Sequence, residues 1–491
     1  MSIEISRRSF LRSTAVSVPF FIGGCATRVA PRRIGPNEKV NVAIIGCGCI
    51  ARYTNVPGFL QDPRCRVTVA CDMVKLAPDY FYGARGSSFG AEGFSASDGS
   101  FRRDVCGSTV IKSIVDRHYG DHACREVADW RDVIDDPTVD AVAICTPDHW
   151  HAIIAIAAMK AGKHVFCQKP MSTTIGEGRA MARVAKETGV VFQCGNQGSS
   201  DPHYRLVEEI VSNGYAGKVK GATICIYGGD HWEGHGRSTA RMPLPKYFNR
   251  ETWDLWQGPA RHWEDDAYIP SIHDPTCWRF NDRYGSGMVA DFGAHEFDML
   301  QRGLNTQFTG PVAVENVTSN YATGADRDVF SWPSEYAFDF VYANGIRCHV
   351  RTVDEKTGFP RQMTLHCEAG DFSIHDSTET TKVPDSFRNF KESDLKPTDY
   401  RPYRPNPAHD AQKFHESDFL DGVLENRAAV ASTCEMGYRT ITLAHIANIC
   451  IRLQLRGLKW DPAAVRFTGA YADEANRFIE KEYHNGWRLG A

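Results

Sequence analysis

The 491-residue sequence predicts an α/β protein in two parts, a doubly wound parallel sheet followed by an α+β domain with an open, mainly antiparallel sheet. Three observations carry that prediction. Short apolar runs alternate with helical stretches between residues 40 and 195, the pattern of parallel strands buried on both faces. From about residue 217 apolar and polar residues alternate instead, which marks strands with one wet face. Two such runs, 334–342 and 346–353, flank Asn344-Gly345, a hairpin signal.

The first element, Val40-Asn41-Val42-Ala43-Ile44-Ile45, reads as a buried strand and runs into Gly46-Cys47-Gly48-Cys49-Ile50-Ala51. Gly46 permits a tight turn into a helix, and Gly48 lets backbone N–H groups approach a pyrophosphate with no Cβ in the way. Ile50 lies at the helix start, and Ala51 is small enough for close helix–strand packing. The second strand, 66–71, ends in Asp72, which stands 21 residues beyond Ala51. An acid there accepts hydrogen bonds from the adenosine ribose hydroxyls and repels a 2′-phosphate. Strand, glycines and acid in register make this a Rossmann NAD-binding unit, with NAD expected over NADP.

Residues 79–101 hold five glycines and six aromatics without helical or strand period and read as an ordered loop. A helix is expected over 104–119 and a strand over 141–145. Thr146-Pro147-Asp148-His149 then turns into a helix ending near Gly162. A strand over 164–167 ends in Gln168-Lys169-Pro170, a helix covers 174–189, and a strand over 190–194 closes the sheet at Gly195-Asn196-Gln197. Ligands bind at the carboxyl ends of parallel strands. Thr146, Pro147, His149, Gln168, Lys169 and Asn196 are therefore expected at one crevice with the glycine turn and Asp72. In the second part, strands are expected over 218–227, 334–342, 346–353 and 361–368, helices over 408–424 and 435–456, and a surface loop over 385–407. The expected boundaries are 1–36 for a targeting segment and linker, 37–199 for the cofactor domain and 200–491 for a substrate and oligomerisation domain.

A formal net charge of −4 with no long Lys/Arg run argues against nucleic acid as a partner. The sixteen cysteines are scattered, form no CxxC and read as small buried hydrophobes, and no metal site is expected. Ser6-Arg7-Arg8-Ser9-Phe10-Leu11-Arg12 matches the twin-arginine export signature, and the short apolar stretch to Gly24 is too short to span a membrane. Ile22-Gly23-Gly24-Cys25 matches a lipoprotein cleavage box, so a lipid anchor at Cys25 is one reading. A signal cut by an ordinary peptidase, or a basic tail, is the other. Export would carry the protein already folded, by the twin-arginine machinery, to the periplasm.

With the glycine turn, Asp72, Thr146-Pro147-Asp148-His149-Trp150-His151, Lys169-Pro170, and Asp291 with His295, the chain resembles the glucose-fructose oxidoreductase/inositol dehydrogenase/MocA family over residues 38 to 460. The run Trp253-Asp254-Leu255-Trp256-Gln257-Gly258-Pro259-Ala260 is similar to its exported branch. The resemblance implies a tightly held nicotinamide cofactor, sugar or cyclitol substrates, and catalytic roles for Lys169, Asp291 and His295; a homo-oligomer is also expected. One departure is Gln168, where the family usually carries glutamate. Its loss is expected to let Lys169 shed its proton more easily.

Oxidising a carbinol needs a base for the hydroxyl proton and a donor for the developing alkoxide, and His295 and Lys169 are candidates for those two tasks. Asp291 and His295 are four residues apart, so on a helix the carboxylate is expected to orient the imidazole. An aspartate capping a helix beside an incidental histidine is the alternative reading. Five of the ten tryptophans lie between Trp232 and Trp278. Asp230, His231, Trp232, His273, Trp278 and Arg279 are candidates for a sugar cleft, against a core or subunit-interface role for most of the tryptophans. Three functions remain open: a dehydrogenase for a secondary hydroxyl, an NAD-dependent glycoside hydrolase using transient oxidation and elimination, and a non-catalytic exported sugar-binding protein.

Overall fold

A computed structural model describes residues 29–35, 38–78, 105–228, 239–260, 268–269, 277–321, 329–353, 361–375, 382–391, 394, 411–427 and 431–490. The expected loop 79–101, most of the expected loop 385–407, and the targeting segment through Cys25 lie outside the described residues. Six strands form the first sheet: β1 (Val40–Ile45), β2 (Cys65–Cys71), β3 (Arg125–Val127), β4 (Ala141–Ile144), β5 (His164–Gln168) and β6 (Phe192–Gly195). Their order is β3-β2-β1-β4-β5-β6 and every pair is parallel. The order reverses between β1 and β4, which opens a crevice at their carboxyl ends.

The helix after β1 departs from a regular start. A π-helical turn, Ala51–Asn55, precedes α1 (Val56–Leu60). Pro57 has no N–H to give the carbonyl four residues back, so the wider turn carries the chain past it. The turn leaves Asn55 wholly buried beneath β5. The next helix, α2 (Ser108–Tyr119), begins later than residue 104. Cys106 instead bridges to Ala77, and Gly107 sits at φ +123° with the Lys75 carbonyl in the space a Cβ would take. The helices α3 (Trp130–Ile134), α4 (His151–Lys160), α5 (Ile175–Thr188) and α6 (Pro202–Ser212) follow. Thr174 caps α5 by accepting from the Glu177 N–H, and Gly189 ends it in the left-handed conformation.

The second sheet runs β12-β11-β7-β10-β9-β8-β13-β14. Its strands are β7 (Val219–Ile226), β8 (Ala313–Ser319), β9 (Tyr336–Val341), β10 (Arg347–Thr352), β11 (Gln362–Cys367), β12 (Gly370–His375), β13 (Leu458–Asp461) and β14 (Arg466–Thr468). All neighbours are antiparallel except β7 and β10, so the sheet is mixed and mainly antiparallel. β9 and β10 form the hairpin expected at Asn344-Gly345, with Gly345 at φ +84°. Helices α7 (Arg250–Gln257), α8 (Gly287–Asp291), α9 (Gly293–Gly303), α10 (Ala411–Glu425), α11 (Cys434–Arg452) and α12 (Ala472–Asn476) complete the element order. The expected helix to residue 456 stops at Arg452, because Gln454 takes a left-handed φ of 53°.

The core is continuous between the two sheets. Met171, Ile175, Met181, Phe297, Phe338 and Ile446 belong to one buried cluster, and each such side chain contributes about 1.5–3 kcal/mol. The fifteen described cysteines are all buried thiols. Among the described residues no group of three His, Cys, Asp or Glu is arranged to hold a metal, and no helix is long and apolar enough to cross a membrane.

Candidate active site

The turn after β1 admits a close approach. Gly46 has φ +90°, and a Cβ there would stand 2.7 Å from the backbone of Cys145 and Thr146, so glycine alone fits. Asp72 accepts hydrogen bonds from the Cys47 N–H at 2.8 Å and the Val74 N–H at 2.9 Å. Burial raises its pKa, with those two donors opposing. The carboxylate is thereby fixed at a cleft of about 720 Å³, part of it open to solvent. Gly46, Gly48, Thr146 and Pro147 line the same cleft, together with Trp130, Trp150 and Trp256.

These residues fit a dinucleotide. Thr146 Oγ1 is buried in the cleft wall without a hydrogen-bond partner. Asn196 Oδ1, just past β6, is buried without one too, but Asn196 is not among the residues that line this cleft. Such atoms cost stability unless something pairs with them, and polar groups of a ligand would. Ile50 and Ala51 pack into the apolar cluster beneath the turn. His149 is not in the cleft wall: its Nε2 meets the Trp256 carbonyl at 2.9 Å and its ring packs on Trp256 and Tyr284. Burial pulls it down to about 3, so it is neutral. His151 links the ends of β4 and β5, with Nε2 2.8 Å from the Thr146 carbonyl and Nδ1 2.9 Å from that of Pro170.

At the end of β5, Lys169 Nζ donates to Asp291 Oδ1 at 2.9 Å and to the Asp291 carbonyl at 3.0 Å. Arg279 Nε donates to the same Oδ1 at 3.0 Å. Burial pushes the Asp291 carboxyl up, but the two cations outweigh it and hold it well below the usual carboxylate range. His295 is partly exposed nearby. Burial, then the charges of Lys169 and Arg361, push its imidazole well below its ordinary value, with Asp291 only partly opposing. His295 is therefore neutral, with a lone pair able to take a proton.

The expected orientation of His295 by Asp291 is not what forms. Phe292 interrupts the helix between α8 and α9, and among the described residues no hydrogen bond joins Asp291 to His295. Two cations compete better than a neutral imidazole for one carboxylate oxygen. Asp291 instead fixes Lys169. Arg279 is likewise tied to Asp291 and lies over the Trp278 ring at 4.3 Å, with Trp278 buried. Asp230, His231, Trp232 and His273 lie outside the described residues.

Gln168 also differs from expectation. Its amide nitrogen donates to Asn55 Oδ1 at 2.9 Å, and its amide oxygen accepts from the backbone N–H of Lys169 at 3.3 Å and not from the Lys169 ammonium. Asn55 Nδ2 donates in turn to Glu416 Oε1 at 2.9 Å. Lys169 keeps a carboxylate partner in Asp291. Gln168→Glu should place two carboxylates on one buried amide and lower stability by about 1–3 kcal/mol; urea unfolding measures it, and Glu416→Gln should restore much of the loss. Full stability of Gln168→Glu alone would contradict this relay.

Residue spacing did not reveal Asp148 or Arg361. Asp148 is buried with Oδ2 unpartnered, and burial, reinforced by Asp291, raises its pKa well above the usual range. It sat inside the Thr146–His151 run, where a buried carboxyl could have been suspected. Arg361 Nε donates to Glu296 Oε1 at 2.7 Å, and its guanidinium lies 4.8 Å from the Phe292 ring centre. Its place beside His295 comes from the pairing of β11 with β7, which no local signal carries.

Two family models match the chain in succession, the NAD-binding Rossmann fold of the oxidoreductase family over residues 40–196 and its C-terminal alpha/beta domain over 203–489. The chain belongs to this family. It is the glucose-fructose oxidoreductase/inositol dehydrogenase/MocA type, and NAD is the cofactor of its first domain. Levoglucosan dehydrogenase of Pseudarthrobacter phenanthrenivorans is 39% identical over 191 residues, 39% of each chain. Myo-inositol 2-dehydrogenase of Thermotoga maritima is 37% identical over 90 residues, 18% of this chain and 27% of that one. The matched stretches thus span well under two thirds of these curated relatives. A solved levoglucosan dehydrogenase, in complex with NADH and levoglucosan, covers 86% of this chain and 99% of its own at TM-score 0.54 and 18% identity, a likeness of fold.

Proposed function

We propose that this member of the family oxidises a secondary hydroxyl of a sugar, cyclitol or glycoside, with NAD tightly held in the Rossmann domain. The carrying observation is the Lys169 ammonium pinned 2.9 Å from Asp291 near a neutral, partly exposed His295. NAD, when bound, supplies the hydride acceptor. His295 takes the hydroxyl proton as the carbinol carbon gives up its hydride, and Lys169 donates to the oxygen as its charge grows. Asp291 holds Lys169 in place, and Thr146 offers a polar atom to the cofactor. The product is the ketone.

Carbohydrate dehydrogenases among the relatives support the substrate class. Incubating the purified protein with sugars, cyclitols and glycosides, with and without a second carbonyl acceptor, tests it. Ketone formation supports the reading. Net hydrolysis of a glycoside would replace it with the redox-assisted hydrolase, and binding without turnover with the sugar-binding protein.

The export signature Ser6–Arg12 and the cleavage box Ile22–Cys25 support a further proposal, that the folded, cofactor-loaded protein leaves by the twin-arginine route to the periplasm with Cys25 as a lipid anchor. Changing Arg7 and Arg8 to lysine should trap the precursor inside the cell, read by fractionation, and unimpaired export would rule that route out.

A further inference from the structure

The end of the chain runs back from the second domain across the first. The Ile479 carbonyl accepts from the Gly176 N–H at 2.8 Å, and Lys481 Nζ lies 2.7 Å from Glu177 Oε1, to which Tyr483 also donates at 3.0 Å. Farther on, the His484 N–H bonds the Pro259 carbonyl at 3.1 Å. Asn485 Nδ2 donates to the carbonyls of Gly258 at 2.8 Å and Ala260 at 3.0 Å. Trp487 follows. Its ring meets Trp150 edge-on at 4.7 Å and Trp130 at 6.0 Å, with the Arg131 guanidinium over its face at 5.4 Å.

Both rings that Trp487 meets belong to the cofactor cleft. Trp130, Trp150 and Trp256 are in the cleft wall. Trp150 lies so close on Gly258 that a Cβ there would stand 2.1 Å from its ring, and its Nε1 donates to the Trp256 carbonyl at 3.2 Å. The turn 258–260 that Asn485 holds is therefore the backing of Trp150. With Trp487 withdrawn, Trp150 loses an edge-on ring contact and Trp130 a tilted one.

We propose that Trp487 is a positioning residue for the cofactor: the C-terminal segment holds the tryptophan wall of the cleft in place, and NAD(H) leaves when that segment lifts. Such a strap would suit a protein that must keep its nucleotide. The inference rests on the cleft being the NAD site, and the test separates the two claims.

The experiment uses the full-length protein with NADH as the probe, following dissociation by the loss of energy transfer from tryptophan to bound NADH during a chase with excess NAD. Trp487→Ala should speed NADH dissociation about tenfold, a factor equivalent to about 1.4 kcal/mol, and Trp487→Phe should recover most of the difference. Asn485→Ala, which leaves every tryptophan in place, should speed it in the same direction by about threefold. Thermal unfolding of the nucleotide-free proteins provides the control for a merely structural role. Lowered melting temperatures with wild-type dissociation in Trp487→Ala and Asn485→Ala would overturn the strap. Failure of the unaltered protein to bind NADH would overturn the cleft assignment and the strap together.

Discussion

Replacing Lys169 or His295 with alanine should lower turnover by about 10² or more while NAD remains bound, because a preorganised donor or a general base typically contributes that much. The two losses should be far from additive, since proton removal and alkoxide stabilisation belong to one step. The pH profile distinguishes the roles. Protonation removes the base, and the His295 imidazole lies well below the ordinary histidine value of 6.5. kcat/KM should therefore stay level as pH falls through the usual histidine range and decline only below it. That acid limb should vanish in His295→Ala. An acid limb centred at or above the ordinary histidine value would assign the proton to another group.

Asp291→Ala should cost about 3–5 kcal/mol of stability, because it leaves two largely buried cations without their carboxylate. The Lys169 and Arg279 side chains are only 13% and 12% exposed, and both donate to the one Asp291 oxygen. Asp291→Asn should be milder, since an amide oxygen can still accept one of the two bonds. The pH dependence follows from the sign of the shift. Asp291 is held below its unfolded value, so its contribution is fully present above about pH 4 and fades as pH falls toward the folded pKa. Urea unfolding at neutral and acid pH should show the variant losing less on acidification than the unaltered protein. Equal stability at neutral pH would mean the pair does not hold this end of β5.

Much of the first domain was legible because its signals are local. The strand 40–45, the turn at Gly46 and the acid at 72 lie within one supersecondary unit, and all form with Asp72 at the cleft. The alternating runs of the second domain yielded β7, β9, β10 and β11 to within two residues at each end. What escaped depends on partners far away in sequence. β8, β12, β13 and β14 are short or interrupted by polar residues, and the parallel pairing of β7 with β10 is set by the topology of the whole sheet. At the site, spacing placed Asp291 near His295, but spacing cannot weigh an imidazole against Lys169, 122 positions earlier. The same limit hid the Gln168–Asn55–Glu416 relay, whose members come from β5, a π-helical turn and α10.

The most direct test of the central claim is a single turnover by the purified, nucleotide-loaded protein. A secondary alcohol of a sugar or cyclitol is added in excess, and reduced nicotinamide is followed by its absorbance. Reduction of the bound nucleotide with matching ketone, and its absence in Lys169→Ala that still holds NAD, is the predicted result. A protein whose bound NAD stays oxidised with every such alcohol, or whose Lys169→Ala variant reduces NAD at the unaltered rate, would contradict it.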